Sequence, residues 1–313
     1  TRRNHYRDIA VFGIPVPNDA GAASYRIEAI GPKAGFDRPP MRDPDIKRDA
    51  PPGIPAKSII NLSRRMDASG TLTWDVPEGR WVILRMGHTC TGAQNAPAPA
   101  SGRGLEVDKL SREAMDAFWP GFMGAVIARV GSLAGKVLNN ALIDSYETGY
   151  QNWTPRFRED FIRLRGYDPL PYLPTVTGRV VDNIETSERF LWDFRRTISD
   201  LWASNYYEYF GELCRKHGMM FSVEPYGNGN FDNLQAGGLA DVPMGEFWVP
   251  SAAAGETLKL AASAAHTNGR KYVGAESFTA DESRGRWLVE PYGIKALGDM
   301  VFTQGINRYI FHR

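Results

Sequence analysis

Carboxylates recur directly after apolar, strand-like segments in the second half of this sequence. Asp144 and Glu147 follow the apolar stretch of "KVLNNALID", with aromatic residues around them. Three later segments end in the same way: "FSVEPYG" with Glu224, "PMGEFW" with Glu246 and "VGAESFT" with Glu276. A single acid at such a position could be a helix cap or an arginine partner. Because Glu is not a favoured N-cap, the repeated pattern favours one shared site.

Clustered carboxylates on a rigid rim can perform two kinds of chemistry. Two of them can act as general acid and general base across a glycosidic bond. Several together can bind a hard divalent cation such as Ca²⁺, which prefers oxygen ligands. A weakly polar setting helps a general acid to keep its proton. We expect Tyr146, Tyr150 and Trp153 to supply that setting for Glu147.

Other residues could complete such a site. His88 and His312 fall at the ends of strand-like segments, and the sequence leaves open whether each lines the site. Trp153, Trp248 and Phe278 could pack on a sugar ring, although core packing explains them equally well. No HxxxH or CxxC spacing occurs, so a zinc site is not expected.

The elements that must position these residues alternate between strand and helix from about residue 100 onward. Ser111 is a candidate N-cap for the first helix, and residues 187–218 form a long amphipathic pattern. Strand-like segments lie at 136–144, 219–227, 241–249, 271–279 and 306–313. This order indicates parallel βα units. No nucleotide-binding glycine fingerprint follows any strand. We therefore predict an α/β fold containing a (β/α)8 TIM-like barrel, partial in this chain, whose site lies at the carboxyl ends of the strands.

The first third of the sequence has a different pattern. Residues 21–85 contain short alternating segments and turns, which predict a β-rich N-terminal insert. We expect residues 1–20 to include a barrel strand, "DIAVFGIPV", and "WVILRMGH" (81–88) to be another. Residues 86–313 are predicted to form the later part of the catalytic barrel.

Composition limits the partners of this protein. The 313 residues carry a formal net charge of +1, which gives no electrostatic reason to bind nucleic acid or an anionic membrane. No apolar run approaches the roughly 18–20 residues of a membrane span. The sequence starts at Thr1, and we expect a fragment of a longer multidomain protein whose remaining domains are its partners.

Several motifs of the chain, in this order, resemble the α-L-rhamnosidases of glycoside hydrolase family 106. The resemblance implies a (β/α)8 catalytic barrel with β-rich additions, and a rhamnose-containing glycoside as substrate. It also implies cleavage of terminal α-L-rhamnose with inversion, assisted by Ca²⁺. A bacterial protein acting in the periplasm or outside the cell is expected. The motifs are "GTLTWDVPEGRWVILRMGHTCTG" (70–92), "GRGLEVDKLS" (102–111), "LIDSYETG" (142–149), "SVEPYG" (222–227), "AESFT" (275–279) and "NRYIFHR" (307–313).

The resemblance also implies roles for individual residues. Glu147 matches the general acid of the family and Glu276 matches its general base. Glu246 resembles a calcium-associated acid. The residues predicted to bind substrate are Asp144, Glu224, His88, Trp153, Trp248 and His312.

Two other functions remain as alternatives. One is a carbohydrate-binding barrel without catalysis, which would bind a glycoside but not turn it over. The other is a metal-dependent aldolase or isomerase. Such enzymes usually place a lysine base or His and Asp metal ligands at strand ends, and no lysine stands at the strand ends named above.

Overall fold

The computed structural model of the chain describes residues 5–37, 50–96, 98–249 and 255–312. The chain divides into two compact units. Unit 1 comprises Thr1–Glu106 and Thr148–Ile198, and unit 2 comprises Val107–Glu147 and Ser199–Arg313. Residues 148–198 thus belong to the same unit as the N-terminal segments, and the domain boundaries at residues 20 and 85 stay predictions.

Eight strands and eleven α-helices lie in the described residues. The strands are β1 (Tyr6–Pro15), β2 (Ile60–Asn61), β3 (Trp81–Thr89), β4 (Asn140–Ile143), β5 (Met220–Val223), β6 (Val242–Trp248), β7 (Gly274–Thr279) and β8 (Arg308–Phe311). The helices are α1 (Ala20–Ser24), α2 (Ile30–Lys33), α3 (Arg112–Phe118), α4 (Met123–Val130), α5 (Phe157–Arg165), α6 (Ile184–Leu201), α7 (Tyr209–Lys216), α8 (Asn233–Gly238), α9 (Gly255–Thr267), α10 (Glu282–Gly285) and α11 (Pro291–Thr303). Short 3-10 segments occupy Ala56–Ser58, Ser63–Arg65, Ala100–Gly102, Trp119–Gly121, Gly131–Leu133 and Leu170–Thr177.

Unit 1 contains a three-stranded antiparallel sheet in the order β2-β1-β3. Strand β1 is central, and Val11, Phe12 and Ile14 on it are buried. The prediction that β1 and β3 are strands of the parallel barrel is therefore wrong. For β1 the reason is that an apolar run buried on both faces looks the same in a parallel and in an antiparallel sheet.

Unit 2 contains a five-stranded parallel sheet in the order β4-β5-β6-β7-β8. Each neighbouring pair is parallel and is joined through helical segments, which confirms the predicted βα units after residue 136. The part of the sheet in the described residues has five strands, so a closed eight-stranded barrel is not seen there.

Helix α9 packs closely on β6 and β7. Its side chains at Leu258, Ala261 and Ala265 are fully buried against Phe247 and Ala275 of those strands. Small alanine side chains allow the helix to approach the sheet. A Cβ at Gly245 would come within 2.7 Å of the backbone of Thr257, so only glycine fits there. This packing fixes the two strands that carry Glu246 and Glu276.

The long amphipathic pattern at 187–218 is confirmed as helical. Helix α6 continues into a π-helical stretch, Trp202–Glu208, and then into α7. Ser111 caps α3 as predicted, because its side chain accepts a hydrogen bond from the N–H of Ala114. No described helix combines the length and the apolar character needed to cross a membrane. The apolar face of the pattern at 187–218 is buried and includes Leu191, Phe194, Ile198, Leu201, Trp202, Phe210 and Leu213.

Candidate active site

The acids predicted from the sequence gather at one edge of the parallel sheet in unit 2. Asp144 directly follows β4 and Glu224 directly follows β5, and the last residues of these two strands, Ile143 and Val223, are paired in register. Glu246 on β6 is the register partner of Glu276 on β7. Since the strands are parallel, all of these carboxylates lie at the carboxyl-end rim.

Three of these acids form a tight cluster. Asp144, Glu224 and Glu276 each place a carboxylate oxygen within 4.8 Å of the other two. Glu224 is fully buried and Glu276 is nearly so, whereas Asp144 is exposed. Carboxylates at this separation repel one another when all are charged, so the cluster is suited to a cation or to shared protons.

Glu224 lies at the floor of this cluster. Both of its carboxylate oxygens and the hydroxyl of Tyr226 are buried and make no hydrogen bond of good geometry among the described residues, while Asp144 and Tyr226 lie close enough to affect the pKa of Glu224. Burial, with a further contribution from Asp144, raises the pKa of Glu224 to about 10. Burial and the charge of Glu224 likewise raise the pKa of Tyr226. Buried polar atoms in native proteins are normally satisfied, so this floor is suited to a bound cation, water or sugar hydroxyl.

Glu276 is held by two neighbours. The hydroxyl of Thr279 donates a hydrogen bond to Glu276 Oε1, and Nδ1 of His312 lies 3.8 Å from the same oxygen. A register shift between β6 and β7 marks a bulge at Phe278, which has a φ of 57°. Such bulges redirect side chains and are frequent beside active sites.

Glu246 is half-buried beside the cluster. Burial raises its pKa, and the charges of Glu276, Asp144 and Glu147 add to this effect. Its carboxylate is not among the three that meet within 4.8 Å. The site therefore consists of a tight trio of acids and two further acids, Glu246 and Glu147, which are close enough to interact electrostatically with members of the site.

Glu147 is exposed, and its Oε1 accepts a hydrogen bond from the hydroxyl of Ser145 at 3.1 Å. The expectation that Tyr146 surrounds this acid is wrong, because the Tyr146 ring is buried against Trp202 at a centroid distance of 4.7 Å. Neighbouring side chains of an extended segment point in opposite directions. Tyr150 and Trp153 belong to unit 1, where the Trp153 ring packs on Phe157.

The family of the chain follows from comparison with known proteins. A family model described as "alpha-L-rhamnosidase", glycoside hydrolase family 106, matches residues 22–313. The chain belongs to the α-L-rhamnosidases of glycoside hydrolase family 106. The resemblance inferred from the motifs is thereby confirmed.

Two relatives illustrate how the chain compares with other proteins. A solved rhamnosidase structure from Novosphingobium sp. PP1Y superimposes with a TM-score of 0.83 at 34% identity, over 93% of this chain and 29% of that one. A Formosa agariphila protein named "Putative beta-glucuronidase" is 46% identical over an aligned region of 316 residues, which covers 100% of this chain and 26% of that protein. The chain therefore spans about a quarter to a third of the length of these relatives.

The remaining predicted residues of this family 106 chain fall in different places. Trp248 is 40% exposed and lines a cleft in unit 2 together with His312. His88 lies half-buried on β3 in unit 1, where its ring meets that of His5 edge-on at 5.9 Å. Unit 2 thus brings together the predicted acids, Trp248 and His312, while His88 and Trp153 belong to unit 1.

Some residues that build the site were not singled out from the sequence. Lys109 is buried, and its Nζ lies 5.0 Å from the centroid of the Tyr146 ring. Tyr226 lies at the floor of the cluster, Thr279 binds Glu276, and Gly227 contacts the backbone of Tyr146. Tyr226, Gly227 and Thr279 each lie within three residues of a predicted acid, and these three and Lys109 all lie within the family 106 motifs. Membership in these motifs is the sequence signal by which they could have been identified.

Proposed function

We propose that the protein to which this chain belongs is an inverting α-L-rhamnosidase that releases terminal α-L-rhamnose from glycosides. The observation that carries this proposal is the set of five acids gathered at the rim of one parallel sheet in a family 106 chain. Rigid strands position such groups more precisely than loops do.

Glu147 is the general acid in this proposal. It donates a proton to the glycosidic oxygen as the bond from that oxygen to the anomeric carbon breaks. Ser145 orients its carboxyl group, and the exposure of Glu147 leaves room for a leaving group. The neighbouring Tyr146 anchors the segment, since its N–H donates to the carbonyl of Tyr226 and its own carbonyl accepts from the N–H of Asn228.

Glu276 is the general base. As a carboxylate it takes a proton from a water molecule, whose oxygen attacks the anomeric carbon from the face opposite the leaving group. Thr279 and His312 hold Glu276 in place on β7. This sequence of bond changes inverts the configuration at the anomeric carbon.

The trio of carboxylates fits a calcium ion. Ca²⁺ binds oxygen at about 2.3–2.6 Å, so oxygens on opposite sides of the ion are separated by about 4.6–5.2 Å. The oxygens of Asp144, Glu224 and Glu276 lie within 4.8 Å of each other, and both Glu224 oxygens make no hydrogen bond of good geometry in the described part of the chain. We assign Asp144 and Glu224 as its main ligands, and Glu246 as a further acid beside it. Bound there, Ca²⁺ would balance the negative charge and orient sugar hydroxyls.

Substrate binding and the context of the chain complete the proposal. Trp248 and His312 contact the rhamnose in this proposal. That His88 and Trp153 also bind substrate stays a prediction. We further propose that other segments of a longer protein complete an eight-stranded barrel, and that the protein acts in the periplasm or outside the cell.

The test is hydrolysis of nitrophenyl α-L-rhamnoside by the full-length protein. We expect Glu147→Gln and Glu276→Gln each to lower kcat by about 10²–10⁴-fold. The exposed Asp299, whose carboxylate pairs with Lys295, provides the control variant Asp299→Asn, which should keep wild-type activity. NMR of the first product formed should show β-L-rhamnose. Normal turnover by both glutamine variants would end the proposal, and α-L-rhamnose as first product would refute inversion.

A β-glucuronidase is the second candidate, because it is named for the Formosa agariphila relative. A glucuronide carries a carboxylate, and the proposed Ca²⁺ would balance only part of the negative charge of the five acids, so the site would still repel that carboxylate. We therefore expect nitrophenyl β-D-glucuronide to be a much poorer substrate than the rhamnoside. The reverse preference would favour the second candidate. Binding of rhamnosides without turnover would indicate a non-catalytic carbohydrate-binding protein.

A further inference from the structure

A lysine is buried among aromatic rings beside the segment that follows β4 in unit 2. Lys109 is 2% exposed and lies in the turn before α3, where its Nζ donates a hydrogen bond to the carbonyl of Val107 at 3.3 Å. The same Nζ lies 5.0 Å from the ring centroid of Tyr146, 5.5 Å from that of Tyr206 and 6.0 Å from that of Trp202. A cation within about 6 Å of a ring face is attracted to it, most strongly where water is excluded. We call these three rings the Lys109 cage.

The π-helical stretch Trp202–Glu208 supplies two rings of the cage. The ring centroids of Trp202 and Tyr206 are 5.5 Å apart, and Tyr207, five residues after Trp202, stacks on it at 6.1 Å. In an α-helix of 3.6 residues per turn, a residue five places on points to a different face. The wider turn of a π-helix brings it back to the same face, and such turns are frequent at functional sites. The π-helical geometry therefore aligns the rings beside which Lys109 lies.

Hydrogen bonds fasten the turn of Lys109 to the same π-helical stretch. The side-chain amide of Asn205 donates to the carbonyl of Leu110 at 2.8 Å. The guanidinium of Arg112 donates to the carbonyl of Ser204 at 3.0 Å. The ammonium group is therefore fixed relative to the π-helical stretch, independently of the segment after β4.

Tyr146 connects this fixed point to Glu147, the proposed general acid. Its ring contacts the Lys109 ammonium and also Trp202, at a centroid distance of 4.7 Å. Its N–H donates to the carbonyl of Tyr226 at 2.9 Å. Since neighbouring side chains of an extended segment point in opposite directions, the inward ring of Tyr146 directs the side chain of Glu147 outward.

The charge of Lys109 is not needed to fill this space. Burial removes the hydration of an ammonium group, and lysine is among the residues that are least often fully buried. A methionine side chain of similar length would occupy the same volume at a lower desolvation cost. What the ammonium adds is a directional attraction to the ring faces, which apolar packing lacks.

We propose that Lys109 is a positioning residue for the general acid: its ammonium group holds the Tyr146 ring on the π-helical stretch and thereby sets the direction of Glu147. This inference rests on the proposed rhamnosidase function. Lys109 acts through Tyr146 and takes no part in proton transfer. The proton of Glu147 passes to the glycosidic oxygen as its bond to the anomeric carbon breaks, so that the leaving group departs as a neutral alcohol. A displaced Glu147 transfers this proton less efficiently, whereas the attack of water assisted by Glu276 is unaffected.

Two leaving groups separate a defect of the acid from a general defect. Dinitrophenolate is a stable anion and departs without a proton, whereas phenolate is a poorer leaving group and needs the proton of the general acid. In the full-length protein we expect Lys109→Met to lower kcat/KM for phenyl α-L-rhamnoside by about 10–100-fold and that for dinitrophenyl α-L-rhamnoside by no more than about threefold. Glu147→Gln should show the same selective loss, and Glu276→Gln should lose activity on both substrates.

Variants of the cage and a second lysine complete the design. Tyr206→Leu removes one ring of the cage and should cause the same selective loss, whereas Tyr206→Phe keeps the ring and should retain most of the activity. Lys216→Met is the matched control, because Lys216 is an exposed lysine of α7 whose Nζ also lies over a ring, 6.0 Å from the centroid of Tyr209. It should leave both substrates unaffected.

The selectivity of the loss decides the outcome. No loss, or an equal loss on both substrates, in Lys109→Met would overturn the positioning role, while a selective loss in Glu147→Gln would leave the general acid assigned. If Lys109→Met does not fold, Tyr206→Leu decides by the same criterion. A Glu147→Gln variant without selective loss would refute the general acid and the positioning role together.

Failure of the rhamnosidase proposal would be seen separately. If the wild type hydrolyses neither substrate, hydrogen exchange decides whether Lys109 holds the segment after β4. The amides to follow are the N–H of Tyr146 and that of Asn228, which donates to the carbonyl of Tyr146 at 2.6 Å. Faster exchange of both in Lys109→Met than in wild type and Lys216→Met would support the positioning of the segment. Equal exchange in the three proteins would overturn it.

Discussion

Glu224 is the residue whose environment departs most from that of an ordinary carboxylate. It is fully buried, its two oxygens make no hydrogen bond of good geometry among the described residues, and its pKa is raised from 4.5 to about 10. In the unfolded chain this group loses its proton near pH 4.5, whereas the folded protein keeps it until about pH 10. Between those values each unit of pH stabilises the ionised unfolded state relative to the protonated folded state, so the metal-free protein loses stability as pH rises.

The first prediction concerns this residue. In EDTA, the melting temperature of the wild type should fall from pH 5 to pH 9, because Glu224 contributes roughly 3 kcal/mol less stability at pH 7 than at pH 4.5. Glu224→Gln should remove most of this slope and be the more stable protein at pH 8. Differential scanning fluorimetry measures the melting temperatures of the wild type and of Glu224→Gln across this pH range. Glu256→Gln is the control, because Glu256 is exposed. Parallel curves for wild type and Glu224→Gln would contradict the assignment.

At the scale of elements, the loop after β5 supports the segment after β4. Tyr146 and Gly227 form an isolated parallel bridge. Gly227 has a φ of 118°, and a Cβ added there would lie 2.0 Å from the carbonyl oxygen of Tyr146. On the other side, Lys109 lies over the ring of Tyr146 and near those of Trp202 and Tyr206. The position of Glu147 therefore depends on packing around its neighbour.

The second prediction follows from this contact. Gly227→Ala should push the segment that carries Asp144 and Glu147 away from β5, and should lower stability by about 2 kcal/mol or more. Activity measured well below the melting temperature should fall at least tenfold, since small displacements of catalytic groups are costly. Gly121→Ala is the control, because Gly121 has open space around its Cα and no positive φ. Unchanged kcat in folded Gly227→Ala would show that this contact does not position the acids.

The sequence predicted the elements of unit 2 better than those of unit 1. Alternation of strand and helix identified β4 to β8, and the acids at their ends were recognisable because they interrupt apolar runs. Which strands pair is a property of tertiary structure, and β1 therefore resembled a barrel strand although it pairs antiparallel with β3. The bulge at Phe278 and the grouping of Asp144 with Glu224 depend on register and side-chain direction, which composition and spacing do not specify.

At the scale of the whole molecule, unit 2 concentrates negative charge that must be neutralised. The site has five acids from four segments of the chain: Asp144, Glu147, Glu224, Glu246 and Glu276. Within the described residues no ion pair joins any of them to a lysine or an arginine. His312 is the imidazole beside them. A bound divalent cation would lower the repulsion and would couple folding of unit 2 to calcium concentration, because ligands that bind only the folded state stabilise it.

Calcium removal tests this coupling in the full-length protein. At a free Ca²⁺ concentration about 100-fold above the dissociation constant, binding adds about 2.7 kcal/mol, so EDTA should lower the melting temperature by a few degrees and calcium should restore it. The shift should be larger at pH 8 than at pH 6, since protons compete with the ion for the carboxylates. Glu224→Gln should lose the response to calcium. Glu276→Gln should keep most of it while losing turnover, because its main role is that of the base. Equal loss of the calcium response in both variants would make Glu276 a metal ligand, and a wild type indifferent to EDTA would exclude the calcium site.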